Sequence, residues 1–237
     1  MINLIKNETM GKADDGWLKT HYHFSFANYY NPDNMNFGVL RVLNDDTILP
    51  ENGFDTHPHK NMEIITYVVE GELTHKDSHG NYGKIGRGGM QYMSAGSGIF
   101  HSEHNLGERP LRLLQLWILP EVDGLKPNYG ELSLPWENRL NRWLKVVASV
   151  RDHEAPIQIY QDAVIFVAFL EKGKRLHFAL SENRQAYLVQ IEGNSRVNGK
   201  ECRQRDALEV IGENIDAAAN TDSHYLLIEM KKNGDEK

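Results

Sequence analysis

His57 and His59 are separated by one residue, and so are His101 and Glu103. On a β-strand, residues i and i+2 project from the same face. Each pair can therefore aim two metal-ligating side chains inward from one strand, and neighbouring strands of a barrel can bring all four to one point. The resulting set is three imidazole nitrogens and one carboxylate oxygen, with coordination positions left open. Imidazole suits iron, nickel, copper, zinc and related ions, while the carboxylate adds negative charge and hardness. A closed structural zinc site more often uses cysteine. Open positions on a redox-capable ion admit a substrate oxygen and dioxygen side by side. An isolated His-x-His is commonly a surface or loop pair. Two such pairs flanking the hairpin turns of one predicted barrel form a stronger signal, and six of the eleven histidines fall between residues 57 and 104.

The elements that must position these residues are strands. Short runs rich in β-branched, aromatic or continuously apolar residues recur between Gly, Asn and Asp, at 37–42, 63–69, 90–93, 111–119, 144–149, 163–170, 187–191 and 224–230. Many short, regularly punctuated strands predict an all-β chain of antiparallel sandwich or barrel type. A short helix is predicted within 135–143. Residues 120–135 hold three prolines and two glycines without a clear period, the mark of a connector. The predicted domains are therefore 1–134 and 135–237.

An internal repeat relates the two halves. Tyr67-Val-Val-Glu-Gly71, a hairpin and Gly88-Gly-Met-Gln-Tyr-Met93 are echoed by Leu188-Val-Gln-Ile-Glu-Gly193, a hairpin and Arg205-Asp-Ala-Leu-Glu-Val210. With Gly71 set against Gly193, His57 and His59 fall opposite Ala179 and Ser181, and Glu63 opposite Gln185. With Gly88 set against Arg205, His101 and Glu103 fall opposite Ala218 and Asn220. The second half then lacks every ligand, and one metal per chain is expected, in the first half. His177 and His224 are read as surface or packing residues.

Composition bounds the rest. The 237 residues are 40% hydrophobic and 25% charged, ordinary for a globular chain. A net charge of −7 argues against a broad phosphate-binding surface, so direct nucleic-acid binding is not expected. No apolar run is long enough for a membrane span. The N-terminal segment lacks the apolar core of a secretory signal, and Cys202 is the single cysteine. The expected location is the cytoplasm.

The stretch Gly53-Phe-Asp-Thr-His57-Pro-His59-Lys-Asn-Met-Glu63 with Gly71 resembles the first cupin motif, and Gly88 to Asn105, with Gly96 and His101, resembles the second. The segment from His57 to Glu103 is similar to the pirin family of bicupins: the His-Pro-His start, the Glu-Gly hairpin, the Gln-Tyr-Met-Ser-Ala-Gly turn and the final His-x-Glu. Leu116-Trp117, Lys126-Pro127 and Tyr129 extend the likeness, and the second half, shorter than in human-like pirins, resembles the compact bacterial branch. The resemblance implies two antiparallel β-barrel (double-stranded β-helix) domains. It implies one divalent transition metal, Fe(II) first, with Zn, Ni, Cu, Mn, Co or Cd also accepted. The ligands carried over are His57, His59, His101 and Glu103, while Glu63 is assigned a supporting role. Ser94 stands where the general cupin motif has proline, which fits pirins better. The implied activity is a quercetin 2,3-dioxygenase type of reaction, opening the central ring of flavonols such as quercetin with dioxygen, with Glu103 as the catalytic proton acceptor. The same family implies an alternative, a metal- or redox-sensing module that modulates a protein partner.

Around this centre, Gly96 and Gly98 are expected in a tight turn. Met93, Phe100 and Trp117 are candidates for an apolar pocket wall or plain core. His104 should point away from Glu103, and His75 and His79 are expected to face solvent from the hairpin between the motifs.

Overall fold

The computed structural model describes residues 1–232, and its regular elements are strands apart from two short 3-10 turns. Among the described residues no helix is long and apolar enough to cross a membrane. Each run predicted as a strand lies on one, except that 37–42 joins its strand only from Leu40, and the central strands, such as Glu63–Glu70 and Leu111–Ile118, are buried on both faces. That burial explains their continuous apolar character.

The chain divides into two compact units, Gly11–Leu134 and Met1–Met10 with Pro135–Lys237. In the first, a seven-stranded antiparallel sheet runs Asn128–Leu132, Met90–Ser94, Glu63–Glu70, Leu111–Ile118, Leu40–Ile48, Leu18–Tyr22, Gly11–Asp14. A four-stranded antiparallel sheet runs Asn52–His59, Ile99–Asn105, Glu72–Asp77, Tyr82–Gly86. Leu73 and Ile85 of the smaller sheet share a buried cluster with Val68, Leu111 and Leu113 of the larger. Among the described residues the ladders stay open: Asn52–His59 and Tyr82–Gly86 remain edges, so packed open sheets stand where the sequence predicts a closed barrel.

The second unit repeats this plan. Its seven-stranded sheet runs Ile2–Ile5, Ala207–Ile211, Arg184–Glu192, Ser223–Lys231, Ala163–Leu170, Leu144–Ser149, Ile157–Ile159, and its four-stranded sheet runs Arg175–Phe178, Ile215–Ala219, Ser195–Val197, Lys200–Cys202. The glycines that anchor the sequence repeat share a backbone state, with φ of 80° at Gly71 and 78° at Gly193. Gly88 and Arg205, the second anchor pair, also match, at 77° and 70°. The weak repeat thus reflects one pattern of turns used twice.

Three expectations need correction. Residues 1–10, placed by sequence with the first domain, belong to the second unit, because Ile2–Ile5 pairs with Ala207–Ile211 at its sheet edge. The segment read as a connector contains the strand Asn128–Leu132, which pairs with Met90–Ser94; its Gly130 lies under the Tyr92 ring where a Cβ would not fit. The helix predicted within 135–143 is a single 3-10 turn, Trp136–Arg139, after Pro135.

Candidate metal centre

The two histidine-bearing segments are adjacent strands of the smaller sheet. Asn52–His59 pairs antiparallel with Ile99–Asn105, and the register sets His101 directly opposite His57 and Ile99 opposite His59. A register shift between His101 and Glu103 places Glu103 opposite Phe54. Such an irregularity redirects side chains within a ladder. The rings of His57 and His101 are 4.5 Å apart, His57 and His59 4.8 Å, and His59 and His101 4.9 Å, centroid to centroid. One ligand atom from each of the three rings lies within 4.8 Å of the others.

Glu103 belongs to a second, overlapping group. Its carboxylate and ring nitrogens of His75 and His101 lie within 4.8 Å of one another, and all three residues are buried. His101 therefore joins the three-histidine group to Glu103. His75, expected to face solvent, is 1% exposed. Its ring stacks on Tyr129 at 4.2 Å and its Nε2 is 3.5 Å from Asp77 Oδ2. His79 does face solvent, as predicted.

Glu103 is 1% exposed and is held by three donors. Gln91 Nε2 donates to Oε1 at 2.5 Å, Thr66 Oγ1 to Oε1 at 3.2 Å, and Gln115 Nε2 to Oε2 at 2.6 Å. These donors form a row across the larger sheet, since Gln115 is paired with Thr66 and Thr66 with Gln91. Sequence reasoning missed all three. Their signal was a polar residue inside an otherwise apolar strand, as in Leu114-Gln115-Leu116.

The electrostatics suit a cation. Burial, with neighbouring rings, pushes His59 and His101 down to about 3, and burial also lowers His75, so these imidazoles are neutral at pH 7. Burial raises the Glu103 carboxyl, against the pull of the His75 ring and its own hydrogen-bond donors. His57 Nδ1 lies 2.7 Å from the Asp55 carbonyl oxygen, which can only accept, so Nδ1 carries the proton and Nε2 is left as a lone-pair donor. Both ring nitrogens of His101 are buried without a hydrogen-bond partner. Buried unpartnered nitrogens are costly, and a divalent ion is the partner that several converging neutral imidazoles and a carboxylate fit.

The other candidates separate cleanly. Glu63 is 1% exposed, accepts from Ser94 Oγ at 2.9 Å, and is outside both ligand groups. Gly96 and Gly98 have φ of 46° and 139°, as the turn requires. Trp117 lines the cavity beside the histidines, its ring 4.8 Å from His59. Phe100 is exposed, and Met93 is core with Ile64 and Ile99. His104 turns away, 3.3 Å from Asp55. In the second unit, His177 is exposed beside Asp216, and His224 is buried with its Nδ1 2.9 Å from Glu192. Both three-residue ligand groups found among the described residues lie in the first unit.

A cavity of about 450 Å³ opens on the centre. Its walls include Trp17, Phe26, Phe54 and Trp117, and its polar lining includes His57, His59, Glu103, Asn44, Asp46 and Gln115. That volume lies in the range of small-molecule sites, about 300–1,000 Å³.

Comparison with known proteins agrees with this geometry. Residues 5–118 match the Pirin family model, and residues 146–230 match the model of the quercetinase C-terminal cupin domain. The chain is 38% identical to quercetin 2,3-dioxygenase of Escherichia coli K12, over 97% of this chain and 99% of that protein. It is 41% identical to a pirin-like protein of Caulobacter vibrioides, over 97% and 99%. The crystal structure of the bacterial pirin YhhW of Escherichia coli, in complex with nickel(II), superposes with a TM-score of 0.91 at 37% identity, covering 98% of this chain and 100% of that one. With such likeness running through both halves, the chain belongs to the pirin family and has its two-domain cupin fold.

Proposed function

We propose that the protein is a metal-dependent dioxygenase that opens the central ring of flavonols such as quercetin. The observation that supports this most is the aromatic-walled cavity of about 450 Å³ lined by His57, His59 and the buried Glu103, with His101 grouped behind them. A planar polyphenol matches flat aromatic walls, and relatives at about this level of identity bear the name quercetin 2,3-dioxygenase. His57, His59, His101 and Glu103 are the proposed ligands, with Fe(II) as the working ion. The nickel(II) complex of YhhW supports a site that takes first-row divalent metals.

When bound, a redox-capable divalent ion supplies Lewis acidity and a route for electrons to dioxygen. The chain's own residues do the rest. Trp117 and Phe54 flank the histidines and exclude water from an apolar slot. Glu103 accepts the proton of the substrate hydroxyl at a carboxylate oxygen. Burial raises its basicity toward that task, and Gln91, Thr66 and Gln115 fix where its oxygens stand. His75 completes the packing under Glu103 and His101, braced by Tyr129.

Purified protein loaded with iron(II) or nickel(II), given quercetin and oxygen, should consume the flavonol absorbance and release carbon monoxide. Absence of turnover with every divalent ion tested removes the enzymatic reading and leaves a metal-sensing module that acts on a protein partner.

A further inference from the structure

The metal centre uses only part of the cavity lining. Asn44 and Asp46 lie two residues apart on the strand Leu40–Ile48 and so point to the same face, and both line the cavity. They are 3% and 2% exposed. Asn44 Oδ1 and Asp46 Oδ1 are each buried without a hydrogen-bond partner. Asn44 sits directly across the ladder from Gln115, whose amide already binds Glu103 and whose oxygen accepts from Trp117 Nε1 at 3.3 Å. The polar row that fixes Glu103 is thus continued by Asn44, and Asp46 stands two residues along the same strand, opposite Leu113; each has an oxygen with unused capacity. Such groups are costly when left unpaired in a folded protein, and two on one wall of a ligand cavity indicate a missing hydrogen-bonding ligand.

We propose that Asn44 and Asp46 form a polar subsite that recognises phenolic hydroxyl groups on a planar aromatic substrate. The inference rests on the flavonol reading of the site and adds which feature of a flavonol is read. A hydroxyl is the matching group because it both donates and accepts. Asn44 Oδ1 accepts from one. Asp46 can do either: a hydrogen bond from Thr20 holds its carboxyl, and burial pushes it up to about 7, so the neutral acid is well populated near neutral pH. A second carboxylate charge beside Glu103 is thereby reduced, which suits an uncharged polyphenol better than a substrate cation or an acid.

The test is calorimetric titration, without oxygen, of the metal-loaded protein with quercetin and with 3-hydroxyflavone. The second ligand keeps the 3-hydroxy-4-oxo pair and lacks the remaining ring hydroxyls. It is also the more apolar, so burial alone would favour it. The expected result is quercetin bound about tenfold tighter or better in the wild type, as one well-made buried hydrogen bond gives. Asp46→Leu, and Asn44→Leu with it, should bring quercetin to the affinity of 3-hydroxyflavone, and Asp46→Asn should keep most of the preference. Equal affinity of the wild type for both ligands overturns the subsite while the flavonol reading stands, with water then satisfying both oxygens. Failure of both ligands to bind overturns both readings. The wild-type comparison needs no variant to fold.

Discussion

His101 stands directly across the antiparallel ladder from His57, and their rings come within 4.5 Å because the backbone register places them there. Convergence is therefore a property of strand pairing, formed before any ion binds. His57→Ala or His101→Ala should reduce bound metal from about one ion per chain to near zero, with the β-sheet circular dichroism unchanged. His177→Ala, an exposed histidine beside Asp216, should keep full occupancy. Metal analysis after dialysis measures this; full occupancy in the His101 variant would place the ion elsewhere.

Glu103 is the residue proposed both as ligand and as base. Glu103→Gln keeps the shape but presents a carboxamide to three donors, and it removes the charge. Quercetin turnover at saturating metal should fall by about 10²–10⁴, the usual contribution of a positioned proton acceptor. Flavonol decay followed by absorbance gives the rate. Turnover within a factor of two of wild type would take the base role from Glu103.

Much of this centre was legible because strand period and ligand type coincide: His-x-His and His-x-Glu announce a shared face. His75 was legible in principle and missed, since it shares the strand face of Leu73, two residues before it, and all three of Leu73, Thr74 and His75 are buried. The supports of Glu103 were harder. Gln91, Thr66 and Gln115 are far apart in sequence and become one row only through the pairing of three strands. Register of that kind is set by tertiary packing, which local pattern does not encode. The same reason hid Ile2–Ile5, whose partner strand lies some two hundred residues away. The open sheets were hidden too, because alternation reports which face is buried and not whether a ladder closes.

The neutral histidines make the metal-free protein sensitive to acid. His59 and His101, near 3 in the fold against an ordinary 6.5, bind fewer protons folded than unfolded across that interval. Stability therefore falls as pH drops through 6.5 and levels off near 3. His23, buried and pushed down to about 4, acts the same way. Asp46, raised to about 7, acts oppositely: its contribution is complete below 3.8 and is lost as pH rises through 7. Glu103, raised by burial, sides with Asp46, but His59, His101, His23 and the likewise lowered His75 outnumber the two carboxyls, so the Tm of chelator-treated protein should decline from pH 7 to pH 4. The double substitution His59→Gln and His101→Gln should flatten that decline, and Asp46→Asn should steepen it. A wild-type Tm that stays level over this range would contradict the assignment.

The paired glycines offer a test of the fold itself. Gly71 and Gly193 hold the same left-handed backbone at equivalent turns. A Cβ on Gly71 would stand 2.7 Å from the Pro110 carbonyl oxygen, and one on Gly193 2.0 Å from that of Asp222. Both neighbours are backbone just before the strands Leu111–Ile118 and Ser223–Lys231, so neither can turn aside as a side chain would. Alanine costs about 1–2 kcal/mol for the left-handed conformation alone, before any clash. Gly71→Ala and Gly193→Ala should each lower the denaturant midpoint, and the closer approach makes Gly193→Ala the worse. Gly173→Ala, at φ 80° with open space around it, isolates the conformational part. If all three variants lose stability equally, the backbone contacts at the two repeat anchors contribute nothing, and the turns match by conformation alone.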